Sequence, residues 1–485
     1  MDETNKRKKT VKRLIKAVAF LLVFILVLSA VSRMVVNPED YRHYQWVRGF
    51  YLEPRDSLDV VFIGSSVNYS EINPMFLWNA AGIASRDFTT NSQPLEVVEY
   101  LLREAVKRQP DALYVISLNT IQGKLSDVDL HYVTDYMPFS FNKLHMIDRY
   151  LELQKSLGQA KGEEGTGLKA KRWQYVFPVI LYHTRWEELK SIDFLYKNDG
   201  VKGASYYDSY LRTSVDITED WQTNEERLPL SDLTEETLSR LLQVIEEENV
   251  RVLFTIYPRT EANQNMYSQY NTLVDRLTED GYDVFDMRKC VEESGLNLEW
   301  DYYNMKHTNI HGAVKYTQAM ADYLTEHYGF TDRRGTRAYR SFDRGLEKYL
   351  AAVSPFLIGF ELDQAHYDKR ITVPELLDLE FEDGNAVLNW TPVFEADGYL
   401  IYRQEIDPDG EKKDFVGDYL ALSYDISSWE PVADLSGKRN HTFTDETVSL
   451  KKGHTYCYTV VPYREEGGER FYGTYDYDGI SQKKE

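Results

Sequence analysis

A basic cluster, Lys6, Arg7, Lys8, Lys9, Lys12, Arg13 and Lys16, runs straight into fifteen uncharged, almost wholly apolar residues, Ala17 to Val31 (AVAFLLVFILVLSAV). Extended through Leu14 and Ile15 at one end and Met34 to Val36 at the other, the run approaches the ~20 residues that cross ~30 Å of hydrocarbon. A stretch apolar on every side cannot serve as an ordinary surface helix. Lys16 and Arg33 sit near its ends, where their charges can snorkel to the headgroups. The positive side of such a segment stays in the cytoplasm, which sends residues 37–485 outside. A cleaved signal peptide is the alternative, because Ala30 and Ser32 offer a small-x-small site before Arg33. Both readings give an extracytoplasmic destination. No comparable run follows, so one span is expected: a cytoplasmic tail over 1–13 and an anchor over 14–36.

The charge of the rest narrows its partners. The first sixteen residues carry a net +5, so the remainder carries −27 of the formal total of −22. Such a body repels phosphate backbones, and nucleic acid is excluded as an expected partner. Its hydrophobic content is that of a globular fold, so the acidity belongs to the surface. Only Cys290 and Cys457 are present. A cysteine-rich metal site is impossible, and the two thiols fall in different expected domains.

Residues 37–57 read as a polar, aromatic stalk. From Leu58 short apolar runs alternate with helical periodicity. LDVVFIG (58–64) and ALYVISL (112–118) read as buried parallel strands. Between them, residues 95–108 place Val97, Val98, Leu101, Leu102 and Val106 on one helical face, and Pro110 ends the helix. Residues 121–230 break the pattern with Tyr, Trp and Lys. They read as a partly helical insertion of the kind that covers a site, with a flexible stretch over 158–167. Helices follow over 233–249, with Thr234 as N-cap, and over 265–280 and 312–328. Strands follow at 250–258 and 282–287. The expected fold class is α/β, a flavodoxin-like parallel sheet sandwiched by helices over 37–329.

Residues 330–373 read as a linker with a helix. From 374 to 485 alternating runs (AVLNW, YLIYR, YCYTVVPY) are separated by Asp-Gly and Gly-Gly turns, the pattern of an all-β sandwich. This part resembles a fibronectin type III domain in Trp390, Gly398-Tyr399, Ile401-Tyr402-Arg403 and Phe443-Thr444-Asp445. Tyr456, six residues after Leu450, stands at the tyrosine-corner position. The resemblance implies a spacer or binding module.

Two segments carry chemistry. In FIGSSVNYSEINP (62–74) a strand ends at Gly64 and two serines follow at the carboxyl edge of the sheet, where ligands of parallel sheets bind. In DYYNMKHTNIHGAVKYT (301–317) a histidine precedes a helix that packs on that sheet. A serine hydroxyl is a poor nucleophile until a base takes its proton, and a neutral imidazole suits that task. Ser66 and Ser65 are rival nucleophiles, and His307 and His311 are rival bases.

Together the two segments resemble the SGNH (GDSL-type) hydrolase and acyltransferase superfamily, over about residues 57–328. Its first block is matched by Gly64-Ser65-Ser66, which makes Ser66 the nucleophile. Its last block is matched by Asn304-Met305-Lys306-His307 and then Thr308-Asn309-Ile310-His311-Gly312-Ala313, which makes His307 the base. The chain departs from the family where Asn304 stands at the usual Asp position. Asp301, three residues earlier, is a candidate replacement, and a Ser–His dyad is the other arrangement. The oxyanion donors implied are the Ser66 amide, Ser92 or Asn91 from FTTNSQPLE (88–96), and Asn119 at the end of the second strand. No cofactor and no metal are implied.

The resemblance implies acyl-ester chemistry, with transfer to water or to a sugar hydroxyl. An anchor followed by such a domain resembles membrane-anchored surface-polymer O-acyltransferases and teichoic acid D-alanylation proteins. Cell-surface polysaccharide or another acyl ester is then the expected substrate, and a multi-span membrane acyltransferase an expected partner. A non-catalytic polysaccharide-binding or adhesion module is the reading from another class, and Asn304 is the feature that favours it. A secreted lipase ranks lower, because neither a lid helix nor Gly-x-Ser-x-Gly is evident.

Overall fold

The computed structural model describes residues 2–36, 44–121, 125–157, 168–194, 200–208, 224–259, 264–297, 301–304, 306–365, 371, 374–393, 395–413, 415, 426, 429–473, 475–476 and 478–485. The stretch 158–167, expected to be flexible, lies outside them. Helix α1 (Asp2–Val35) carries the apolar run. Over Lys9–Val35 it is long and apolar enough to cross a membrane, the one such helix among the described residues. The chain divides into two compact units, Met1–Leu346 and Glu347–Glu485. The division falls inside the segment read as a linker, which carries the helix Arg340–Ala365.

The first unit is built on a five-stranded sheet. Its strands are β1 (Val60–Ile63), β2 (Ser85–Asp87), β3 (Leu113–Ser117), β4 (Arg251–Ile256) and β5 (Asp283–Asp286). Their order is β2-β1-β3-β4-β5, and every pairing is parallel. This is a doubly wound order whose topological switch lies between β1 and β3. β1 and β3 are buried at every residue, as continuous apolar runs require when both faces are covered. Around the sheet stand α2 (Ser66–Glu71), α3 (Pro74–Ala81), α4 (Leu95–Val106), α10 (Asp232–Glu248), α11 (Gln264–Glu279) and α12 (Ile310–Tyr328). α4 packs on α10, and α12 packs on both α2 and α3. The cap of α10 is Ser231, whose hydroxyl accepts from the Thr234 amide, so Thr234 is inside the helix and not its N-cap.

β2 shows no apolar signature, yet its Ser-Arg-Asp is wholly buried. Arg86 is neutralised inside the fold: its guanidinium donates to Glu53 at 2.6 Å and to the Gln45 carbonyl at 2.7 Å. Lys202 adds a second cation on Glu53, at 3.1 Å. These bonds correct the reading of 37–57 as a stalk. Residues 44–57 belong to the unit, with Trp46 buried and stacked on Tyr69 at 4.0 Å and Phe50 stacked on Phe88 at 4.2 Å. Trp46 and Phe50 are core, and Glu53 pairs with Arg86 of β2.

The insertion is partly helical, as expected, and only one described stretch of it reaches the sheet edge. Its helices α5 (Asp127–Thr134), α6 (Phe141–Ser156), α7 (Leu168–Val176), α8 (Val179–Tyr182) and α9 (Ser191–Phe194) do not roof the sheet edge. α6 packs on α4, α7 packs on α6, and α8 and α9 pack on the end of α1. Among the described residues, only the stretch around Ser205–Tyr207 reaches the carboxyl edge near β1.

The second unit holds two antiparallel sheets. One comprises Leu376–Glu382 (β6), Asn385–Trp390 (β7) and Thr442–Asp445 (β10). The other comprises Gly398–Ile406 (β8), Ala433–Ser436 (β9), Thr455–Glu466 (β11), Glu469–Tyr472 (β12) and Ile480–Lys483 (β13). Leu388, Trp390, Tyr399, Ile401, Tyr456 and Val460 from both sheets form one core. The Tyr456 hydroxyl donates to the Ser449 carbonyl at 2.9 Å and accepts from the Lys451 amide at 2.8 Å. It thus pins the turn leading into its own strand.

Candidate active site

Gly64 closes β1, and any side chain there would collide with the sheet. A Cβ would stand 2.8 Å from the Ser117 Cβ and 3.0 Å from that of Asn68. Glycine lets the chain turn tightly at the β1/β3 switch and start α2 at once. Ser65 flanks α2 with its backbone extended and its side chain buried. Ser66 is the first helical residue and is half-buried, in a stretch whose neighbours are closed to solvent.

The histidine comes from a closed loop. Tyr302 and Thr308 pair across it, the Tyr303 amide donates to the His307 carbonyl at 2.8 Å, and the Asn309 amide donates to the Asp301 carbonyl at 3.0 Å. Asn309 then caps α12, its Oδ1 accepting from the His311 and Gly312 amides. Gly312 is obligatory here, since a Cβ would meet the Asp301 carbonyl at 2.3 Å. The Thr308 hydroxyl donates to the Ser70 carbonyl at 2.6 Å and ties this loop to α2.

These two constraints bring His307 Nε2 to 2.8 Å from Ser66 Oγ. The other ring nitrogen, Nδ1, lies 3.0 Å from Asn304 Oδ1. That oxygen also accepts from the Lys306 and His307 amides, at 2.9 and 3.1 Å. Two backbone donors identify it as the carbonyl end of the side chain. Nδ1 must therefore carry the proton, and Nε2 presents its lone pair to Ser66. The Ser66 hydroxyl is the donor.

The ring's charge is set by its surroundings. Burial, with Arg259 and Lys306 nearby, pulls the His307 pKa down to about 4. Among the described residues, no carboxylate bonds to the ring. The imidazole is neutral over nearly the whole working range, the form a general base needs.

No protein-family model matches the chain, and no curated protein is significantly similar to it.

The remaining site residues divide by position. Asp301 does not reach the His307 ring. Its Oδ1 accepts from His311 Nδ1 at 2.7 Å, and its Oδ2 from Lys315 Nζ at 2.8 Å and the Asn297 amide at 2.6 Å. Burial pushes its carboxyl up, but His311 and Lys315 outweigh it and hold the pKa below the ordinary Asp range. The loop closure that lifts His307 toward Ser66 turns Asp301 toward α12, so it is no replacement for the orienting carboxylate. His311 is accordingly the partner of Asp301 and makes no hydrogen bond to Ser66. Asn119 clamps two strand ends: its Nδ2 donates to the Tyr257 carbonyl at 2.8 Å and its Oδ1 accepts from the Tyr257 amide at 2.9 Å. These bonds are those of a strand-terminating residue.

Asn91 and Ser92 lie beside α2, on a loop whose Thr90 amide donates to the Gly64 carbonyl at 3.3 Å. Asn91 Oδ1 accepts from the Tyr69 hydroxyl, one turn beyond Ser66, which makes Nδ2 the donor end of that amide. Ser92 is exposed and adopts a left-handed conformation with φ 45°.

Sequence reasoning missed two groups here. Tyr207 stacks on Tyr303 at 4.4 Å and tilts over His307 at 5.8 Å. Its carbonyl accepts from the Ile310 amide at 2.9 Å, forming an aromatic wall. No local pattern marks it within the insertion. Arg259 follows β4 and donates to the Asn119 carbonyl at 2.9 Å. A cation just past a strand's carboxyl end was its available signal.

Proposed function

We propose that this chain is an extracytoplasmic, membrane-anchored serine esterase or acyltransferase of the SGNH type. Its substrates are acyl esters, such as O-acetyl groups, on cell-envelope polysaccharide. The observation that carries the reading is the contact of Ser66 Oγ with His307 Nε2 at 2.8 Å.

Ser66 Oγ attacks the ester carbonyl while Nε2 takes its proton. The Ser66 amide is the first oxyanion donor. Asn91 and Ser92 are the candidates for the second. The imidazolium then protonates the leaving alcohol, and the acyl group rests on Ser66. Water or a sugar hydroxyl, deprotonated by the same Nε2, collects it. Asn304 holds the ring in the productive tautomer but supplies no charge, so the site is a Ser–His dyad with an amide as orienter. Helix α1 is the anchor, residues beyond it lie outside the cytoplasm, and the second unit is a fibronectin type III-like spacer. A multi-span membrane acyltransferase is the proposed acyl donor.

The test is p-nitrophenyl acetate hydrolysis by the full chain in detergent micelles, with Ser66→Ala and His307→Ala as controls. Turnover that both substitutions abolish supports the reading, and turnover that survives Ser66→Ala refutes it. The uncharged Asn304 favours a second reading, a polysaccharide-binding module without turnover. Polysaccharide binding with no ester cleavage at any pH would support that one.

A further inference from the structure

The end of α1 is built into the first unit. The Val179 amide donates to Ser32 Oγ at 3.5 Å. Arg185 reaches the last carbonyls of the helix, donating to Val36 at 3.0 Å and Met34 at 3.4 Å, and its other nitrogen holds Asp193 at 2.7 Å. A cation at a helix C-terminus meets both the orphan carbonyls and the negative end of the dipole. Further back along α1, Ile25, Leu26 and Ser29 share a cleft with Phe139, Val176 and Pro178.

These contacts fix a depth. With Lys16 at the inner headgroups, ~20 residues of hydrocarbon extend to about Val36. Leu26 to Ser32 then lie in the outer half of the bilayer, within ~15 Å of its surface at 1.5 Å per residue. The elements that touch them must lie at the same depth or just above it. Beside the exposed charges of Glu187, Glu188 and Lys190, those elements expose large apolar side chains. Trp186 is 65% exposed, Phe194 57%, Trp173 and Ile180 45%, Leu181 41% and Phe139 37%. Arg172 lies over the Trp173 ring at 5.0 Å, an aromatic–cation pairing suited to the headgroup layer.

We infer that residues 168–194, with Phe139, form a platform that rests in the outer-leaflet interface of the lipid bilayer around α1. The insertion thereby fixes the orientation of the first unit on the membrane, so the unit does not swing on a tether. The occupant is lipid rather than a partner protein, because the exposed Ile180, Leu181, Trp186 and Phe194 adjoin the apolar span that their elements pack against, and the charges among them suit a headgroup layer. Tryptophan is also the residue type that favours that boundary. The inference rests on the reading of α1 as a retained anchor.

The test uses the full chain in phosphatidylcholine–phosphatidylglycerol vesicles, with and without acyl chains brominated near the headgroup. Carbonate extraction reads the anchor. Tryptophan quenching reads the platform, comparing the parent with the Trp173→Phe, Trp186→Phe double variant. The other six tryptophans are common to both proteins, so the difference in quenching reads Trp173 and Trp186. The expected result is retention of both proteins in the vesicles, bromolipid quenching in the parent, and loss of that quenching in the double variant. Retention without quenching, or equal quenching of both proteins, overturns the platform while leaving the anchor standing. In that case a protein partner is the cover for this surface. Release by carbonate overturns the anchor and the platform with it.

Discussion

Replacing Asn304 by Asp should make this site faster, because everything around the side chain already suits a carboxylate. Oδ1 accepts three hydrogen bonds, from His307 Nδ1 and the Lys306 and His307 amides. Nδ2 donates to no described residue. The new charge would sit beside the ring nitrogen now 3.0 Å from Oδ1. Unit charges centred about 4 Å apart attract by ~4 kcal/mol at an effective dielectric constant of about 20. That is about three pKa units at 1.36 kcal/mol each. Desolvating the carboxylate takes back about one of them. His307 should then rise from about 4 to about 6. The same attraction stabilises the imidazolium of the transition state, so kcat/KM above pH 7 should rise ~100-fold, below the ~10⁴ ceiling of a full triad. The assay is the pH profile of p-nitrophenyl ester hydrolysis. A neutral ring is the active base, so activity falls as pH drops through its pKa, and the acid limb should move upward by about two units. An Asn304→Asp protein with native circular dichroism, an unmoved limb and no gain in rate would refute the dyad reasoning.

Arg259→Gln removes a charge that disfavours the imidazolium, so the acid limb of the parent, near pH 4, should shift upward without a change in sign. Its pH–rate profile checks this. Gly64→Ala places a methyl 2.8 Å from the Ser117 Cβ and should cost ~1–3 kcal/mol in urea unfolding while displacing Ser66. Glu53→Gln leaves the fully buried Arg86 without its counter-charge and should cost ~3–5 kcal/mol. Burial pushes the Glu53 carboxyl up, but Arg86 and Lys202 outweigh it and hold the pKa below the ordinary value. The stability it adds is therefore present at neutral pH and is lost as pH falls through its folded pKa. Urea curves of the Glu53→Gln protein should converge with the parent's in acid.

What could be read from the sequence follows from how local each cause is. β1, β3 and β4 are legible because both faces of a central parallel strand need apolar side chains. β2 is not, because its Ser-Arg-Asp carries no apolar signature and Arg86 becomes interior only through Glu53 and Gln45, which lie far from it in the chain. The same remoteness hid residues 44–57, whose aromatic side chains read as a stalk until β2 and Phe88 receive them. Ser66 and His307 stand out because each adjoins a boundary that glycine or a helix cap marks. Whether Asn304 or Asp301 faces the ring is decided by the Tyr302–Thr308 closure, which spacing alone does not reveal. Tyr207 depends on the path of a long insertion, and the insertion's own destination, the end of α1, carries no short-range signal. In the second unit the alternation of Asn385–Trp390 and the position of Tyr456 are legible because their contacts are local: β7 pairs with β6 next to it, and Tyr456 bonds Ser449 and Lys451 in the turn just before its strand.

The central claim is that Ser66 is a nucleophile activated by His307. Labelling the full chain with a fluorophosphonate and mapping the adduct by peptide mass spectrometry tests it most directly. The account predicts a single adduct on Ser66 that is lost in His307→Ala and retained in Asp301→Asn. An adduct on Ser65, or labelling of Ser66 that is indifferent to His307, would contradict it.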